Sequence, residues 1–222
     1  MLSLHDVNKV VQSGEDQLQL LDSINLDVDK GESLAIVGRS GSGKSTLLGL
    51  MAGLDRATSG SIELAGQKLE TLDEEGLAKL RASHVGFVFQ SFQLLASMTA
   101  LENVMLPLEL AGLPDAEKRA HEWLEKVGLG ERTHHYPTQL SGGEQQRVAV
   151  ARAFASGPDV LFADEPTGSL DTQTGEQVAD LLFELNREVG TTLVLVTHDP
   201  RLAARCSKEI IIEGGRIVEA AA

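Results

Sequence analysis

Gly38, Gly43, Lys44 and Ser45, in the stretch GRSGSGKS, fit the spacing G-x-x-x-x-G-K-[ST]. At ordinary residue frequencies that match arises about once in 30,000 windows, so it carries weight in a chain of 222 residues. The residue types suit phosphate. Glycines let the backbone N–H groups of a loop turn inward and approach phosphate oxygens closely. Here that loop runs through Gly38, Arg39, Ser40, Gly41, Ser42 and Gly43 to Lys44, Ser45 and Thr46. Lys44 brings a point charge to the outer phosphates, and the Ser45 hydroxyl suits Mg²⁺. A helix beginning at Lys44 would aim its positive end at the same anion.

A second chemical stretch is VLFADEP, residues 160–166. Four apolar residues followed by Asp164 predict a buried strand with a carboxylate at its carboxyl end, the ligand side of a parallel sheet. Asp164 suits a direct or water-mediated Mg²⁺ contact. Glu165 is then left to polarise an attacking water as a general base. On its own, an apolar strand followed by two acids is often just a solvated strand end; the phosphate loop gives it meaning. Gln90 closes VGFVFQ, where its amide could reach the metal or the water. His198 closes TLVLVTH, where its imidazole could bond a γ-phosphate, and Asp171 follows in GSLD. Taken singly, these three read as a surface glutamine, a strand-end histidine and a turn aspartate.

A third stretch, LSGGEQQ at 140–146, raises a question. Ser141, Gly142 and Gly143 open what reads as a long helix, GEQQRVAVARAFA, yet a glycine pair weakens a helix interior. At a helix amino end the same residues offer N–H groups to an anion. A phosphate site already exists about a hundred residues earlier, and a single helix end contributes only about 0.3–2 kcal/mol.

These groups need a frame, and the pattern is α/β. LSLHDV and LDSINLDV read as half-exposed strands, and SLAIV as a short strand entering the phosphate loop. KSTLLGLMAGL reads as a helix, GSIELAG as a strand, EEGLAKLRA as a helix and VGFVFQ as a strand. Residues 101–127 read as mostly helical, with breaks at Pro107 and at GLPD. They begin a helical insertion that extends to about residue 155. TQTGEQVADLLFELNRE is a helix, TTLVLVTHD a strand and EIIIEGGRIVEA a closing hairpin.

Composition excludes several classes. A net charge of −14 and a pI near 4.8 argue against the basic face that nucleic acid needs, and against simple attraction to an anionic membrane. A single cysteine, Cys206, forms no internal disulfide and fits a reducing cytoplasm; its expected role is a packed side chain. MLSLHDVNKV lacks the basic start and apolar core of a signal peptide, and the apolar runs are strand-sized rather than the ~20 residues of a membrane span.

GRSGSGKS, FVFQ, LSGGEQQR, VLFADEPTGSLD and VTHD, in that order over nearly the whole chain, resemble the nucleotide-binding subunit of an ABC transporter. HVGFVFQSFQLL, ALENVMLPL and DEPTGSLDTQTG are similar to the lipoprotein-release and macrolide-exporter (LolD/MacB-like) subfamily. VLFADEPTGSLDTQTGEQVADLLFELNRE with LAARC is similar to its YbbA-type ATPases. The resemblance implies one P-loop NTPase domain over 1–222. Residues 1–95 and 156–222 would form a RecA-like core with an amino-terminal antiparallel β-subdomain, and about 96–155 an inserted helical subdomain.

It also implies a head-to-tail homodimer that sandwiches ATP between GRSGSGKS of one subunit and LSGGEQ of the other. That would answer the question of the glycine turn. Ser45, Gln90 and Asp164 would hold Mg²⁺, Glu165 would activate water, His198 would hold the γ-phosphate, and Asp171 would couple the two sites. A separate permease would bind the helical insertion and Gln90, placing this chain peripherally on the cytoplasmic face of the membrane. Two uses stay open: export or extraction of a hydrophobic compound or lipoprotein, and division-type (FtsE-like) signalling to an extracytoplasmic enzyme. One departure stands out. The wider family stacks adenine on an aromatic residue upstream of the phosphate loop, and here that place falls at about Val11. No Phe, Tyr or Trp precedes Phe87.

Overall fold

A computed structural model describes residues 1–14 and 16–221. Contacts divide the chain into Met1–Arg81 with the segment from Thr192 onward, and Ala82–Thr191. The expected helical insertion, 96–155, lies inside the second unit.

In the first unit an antiparallel sheet runs in the order β2-β1-β4-β5, from β1 (Leu2–Ser13), β2 (Asp16–Val28), β4 (Ser59–Leu64) and β5 (Gln67–Lys68). Leu2 sits between Val28 and Leu64, and Leu4 between Leu26 and Ile62. All six are buried, so alternation along β1 builds one apolar face. Both amino-terminal strands run further than their alternation suggested. Pairing continues through NKVVQS, with register shifts after Leu4, and Asp6 takes a left-handed φ of 47° where the register first shifts.

The other strands of this unit follow the order β10-β9-β3-β8. β3 (Ser33–Val37) is parallel to both β8 (Thr192–Val196) and β9 (Lys208–Glu213), and β10 (Arg216–Ala221) closes an antiparallel hairpin. After β3 the chain forms the glycine loop and then α1 (Lys44–Met51), which packs on β8, β2 and β4. Its Leu47, Leu48, Leu50 and Met51 are buried, contributing roughly 1.5–3 kcal/mol each. The helix expected through Leu54 stops three residues earlier. Gly53 turns left-handed at φ 65°, and Leu54 N bonds back to Gly49 O at 2.9 Å.

α2 (Glu74–His84) runs across the division between the units. The second unit pairs β6 (Val85–Phe89) with β7 (Val160–Asp164) in parallel. α3 (Ala100–Leu110), α4 (Ala116–Lys126) and α5 (Gly142–Ala155) pack on one another, and α5 also packs on β6 and on α6 (Thr172–Val189). Alanines at 149, 151, 153 and 155 let α5 lie close to its neighbours. Gly86 of β6 has the same role: a Cβ there would stand 2.5 Å from Ala153 O. The break at GLPD is present, but Pro107 does not break α3. It lies near the helix end, where only three residues follow, and Ala111 N still bonds Pro107 O at 3.1 Å. A capping box of Thr99 and Glu102 fixes the start of α3. Trp123 stacks on Phe154 with ring centres 5.7 Å apart. Among the described residues no helix is long and apolar enough to cross a membrane.

Candidate functional site

The first unit carries the phosphate loop and His198. Gly43 opens α1 with φ 105°, and a Cβ there would lie 2.9 Å from Leu20 O, so glycine is required twice over. At Gly38 a Cβ would overlap Ile212 O. The loop is thus clasped between β2 and the β9–β10 hairpin, and Gly215 N adds a bond to Ser42 O at 3.2 Å. Lys44 Nζ donates to Gly38 O at 2.8 Å and to Arg39 O at 3.0 Å, which lays the ammonium over the loop. The Ser42 hydroxyl is buried without a partner among the described residues. Arg39, Ser40, Gly41 and Ser45 are exposed, and Thr46 is half-buried.

β8 ends at Val196, two residues before the expected His198. Thr197 N still bonds Ile36 O at 3.2 Å. Ile36 pairs with Val196, so Gly38 and His198 each stand two residues past a paired position at the same sheet end. His198 is exposed there.

The second unit carries the carboxylates. β6 ends at Phe89, one residue before Gln90, and Phe89 pairs with Asp164. Gln90 and Glu165 are therefore the next residues on adjacent parallel strands, leaving the sheet at one end. Glu165 holds a left-handed φ of 47°, a conformation that costs a non-glycine residue of order 1–3 kcal/mol. The turn is fixed by Gly168 N donating to Glu165 O at 3.0 Å. Ser169 Oγ donates to Gln90 O at 2.8 Å, tying the loop after β7 to the loop after β6. Phe92 and Gln93 are also left-handed, at φ 60° and 49°, and Arg152 of α5 donates to both carbonyls at 3.0 and 2.6 Å. Burial pulls the Arg152 guanidinium below its usual pKa.

Ser141 caps α5. Its Oγ accepts from Glu144 N at 3.3 Å, and its own N–H donates to the Glu144 carboxylate at 2.8 Å. The Ser141 amide, then its hydroxyl, hold the Glu144 carboxyl below its usual range. This box uses the amide of Glu144 and leaves those of Gly142 and Gly143 outside it. The structure adds a second reason for the glycine pair. A Cβ on Gly142 would stand 3.3 Å from Leu170 Cδ2 and 3.6 Å from Phe92 Cζ, and one on Gly143 would overlap the Thr174 methyl. The start of α5 is pressed against the start of α6. Asp171 caps α6 by accepting from Thr174 N at 3.0 Å, and hydrogen bonds from Thr174 hold its carboxyl below the usual range.

Each unit thus groups its own share of the expected residues: 38–46 with His198, and Gln90 with Asp164 and Glu165, beside Ser141–Gly143 and Asp171. Sequence reasoning missed Gln146, Arg152, Ser169, Thr174 and the buried Asn103, whose amide bonds the backbone of Leu95, Met98 and Thr99. A signal existed for Gln146. It shares a helix face with the buried Val150 and Ala153, where an amide is out of place unless it is bonded. Burial pushes the Cys206 thiol up to about 11, which fits its expected role as an inert side chain.

The family model for ABC transporter matches residues 21–168. The chain belongs to the ABC transporter family, as an ATP-binding subunit that hydrolyses ATP. It is 57% identical to an uncharacterized ABC transporter ATP-binding protein, YbbA, of Escherichia coli K12, over all of this chain and 98% of that one. It is 48% identical to the macrolide export ATP-binding/permease protein MacB of the same strain, over 98% of this chain and 34% of that one. Within the family it is of the YbbA and MacB type. A solved dimeric structure of the cassette MJ0796, in a post-hydrolysis state bound to ADP and phosphate, matches with a TM-score of 0.92 and 41% identity over all of this chain and 98% of that one. The ABC nucleotide-binding fold, with its antiparallel β-subdomain, is as the sequence implied.

Proposed function

We propose that the chain works as a homodimer binding two ATP molecules with Mg²⁺, each between residues 38–46 of one subunit and Ser141–Gly143 of the other. The donors fit a magnesium ion: a hydroxyl from Ser45, an amide oxygen from Gln90 and a carboxylate from Asp164 are all hard oxygen ligands. When bound, that ion neutralises charge on the phosphates. Lys44 stabilises charge on the transferred group. Glu165 takes a proton from the attacking water, and Gln90 orients that water. His198 bonds the γ-phosphate, and Asp171 links the two sites across the interface. One symmetric contact would then serve both sites.

Residues 96–155 form the helical subdomain of a single domain over 1–222. This surface and Gln90 dock on a separate membrane permease, which holds the chain at the cytoplasmic face. The pair exports or extracts a hydrophobic compound or lipoprotein. The name of MacB, a macrolide exporter, supports this use over signalling without transport.

The observation that carries the hydrolytic reading is the register Phe89↔Asp164, which brings Gln90 and Glu165 out side by side. Glu165→Gln keeps the shape and removes the base. It should bind ATP, turn over negligibly and elute as a dimer in size-exclusion chromatography with Mg-ATP. Normal turnover in this variant would remove Glu165 from its role.

A further inference from the structure

Gln146 lies in the second turn of α5, the helix opened by Ser141, and is fully buried. A primary amide is costly there unless its polar atoms are used. Its Nε2 donates to Phe89 O at 3.3 Å and to Pro166 O at 2.5 Å. The first carbonyl belongs to the peptide leading into Gln90, and the second to the residue just after Glu165. Two carbonyl oxygens admit only the nitrogen end of the amide, so chemistry fixes its orientation. The other end, Oε1, has no hydrogen-bond partner among the described residues. The side chain is therefore held here for its two donors. They grip the backbone beside two residues at the end of one strand pair, one of which, Glu165, is kept left-handed.

We infer that Gln146 is a positioning residue for hydrolysis: its buried amide sets the backbone from which Gln90 and Glu165 project, and fastens it to the helix whose amino end meets the partner's ATP. The inference rests on the proposed roles of Glu165 and Ser141. Proton abstraction needs the base within about 2.6–3.2 Å of the water, through hydrogen-bond contact. A displacement of about 1 Å can cost a hundredfold in rate. Without its donors each carbonyl loses its tie to α5, which the Gly168 and Ser169 bonds within the loops do not replace, and the two side chains lose alignment. The phosphate loop makes none of these bonds, so nucleotide affinity is spared.

Two variants of the full-length chain test this. Gln146→Met keeps the length and fills the buried space without donors; Gln146→Glu keeps the shape and sets a carboxylate against the carbonyls. Steady-state ATPase assays, calorimetric titration with a non-hydrolysable ATP analogue and thermal melts are run on both, beside Glu165→Gln. The expected result is kcat lower by at least tenfold, with KM and analogue affinity within about twofold and a cooperative melt retained. Wild-type kcat in Gln146→Met overturns the inference. So does a parallel loss of affinity and turnover, or loss of the cooperative melt in both variants, because each makes Gln146 a folding residue. Active Gln146→Met beside inactive Glu165→Gln refutes the Gln146 assignment alone. Active Glu165→Gln refutes the base on which it rests.

Discussion

Gly143→Ala probes the pressed contact between two helix starts. The added Cβ overlaps the Thr174 methyl, while the next atoms, Thr174 Cβ and Arg147 Nη1, stand at 3.8 and 3.9 Å. The conflict is thus with one methyl group. Threonine is stiff at χ1, so its methyl does not simply swing aside. The helix starts must instead move apart, which costs about 1–3 kcal/mol. Against this, alanine favours a helix interior over glycine by roughly 1 kcal/mol. Gly143 is only the second residue of α5, so that gain is partial. The net expectation is a loss of about 1–2 kcal/mol. At a urea slope of about 2 kcal/mol per molar, the unfolding midpoint falls by roughly 0.5–1 M. Thr174→Ala removes the methyl, so a cycle through the single and double variants should return a coupling of about 0.5–3 kcal/mol in the relieving direction. Urea titrations of the four nucleotide-free proteins at constant slope measure it. An unchanged midpoint in Gly143→Ala, or zero coupling in the cycle, would refute the close-approach explanation.

Ser141→Arg removes the α5 cap and fills the surface proposed to face the partner's ATP; it should leave ATP binding by the monomer nearly intact and abolish turnover. A loss of about tenfold in monomer affinity, with dimerisation unimpaired, would contradict a shared site. Val11 pairs across β1–β2 with Leu18, itself 52% exposed, so an aliphatic pair stands at about the position that the family resemblance gives to a stacking aromatic. Base–aromatic stacking adds about 1–3 kcal/mol, and without it GTP should be hydrolysed within about tenfold of ATP, with Val11→Tyr tightening ATP several-fold. Paired ATP and GTP titrations decide; a strong ATP preference in the wild type would mean that another group reads the base. The lowered carboxyl of Glu144 contributes stability that is fully present above its unfolded pKa, near 4.3, and is lost as pH falls through the folded value. Unfolding midpoints should therefore fall below about pH 5 in the wild type and less steeply in Glu144→Gln, which keeps the capping geometry without the charge. Identical pH slopes would show that the box does not depend on that charge.

What the residues determined by themselves was local. The phosphate-loop motif is contiguous, so its glycines, Lys44 and Ser45 are legible from type and spacing alone, although the close approach of Ile212 O and Leu20 O to Gly38 and Gly43 is not. The apolar run before Asp164, the amphipathic stretch that becomes α6 and the Gly214–Gly215 hairpin are legible for the same reason. Extent was less legible. β1 and β2 outrun their alternation because each supplies the other's hydrogen bonds, and α3 runs three residues past Pro107 despite the lost donor, with Ala111 N closing the last turn on Pro107 O. Arg152 and Ser169 look like surface residues of a helix and a loop, and Gln146 like a polar residue misplaced on an apolar face, until the fold presents the carbonyls of Phe89, Pro166, Phe92, Gln93 and Gln90 to them. The glycine pair shows both levels in two residues. Sequence marks Gly142 and Gly143 as a helix start suited to an anion. Only tertiary packing, by bringing Leu170 and Thr174 against them, makes a side chain tight at Gly142 and leaves no room for one at Gly143.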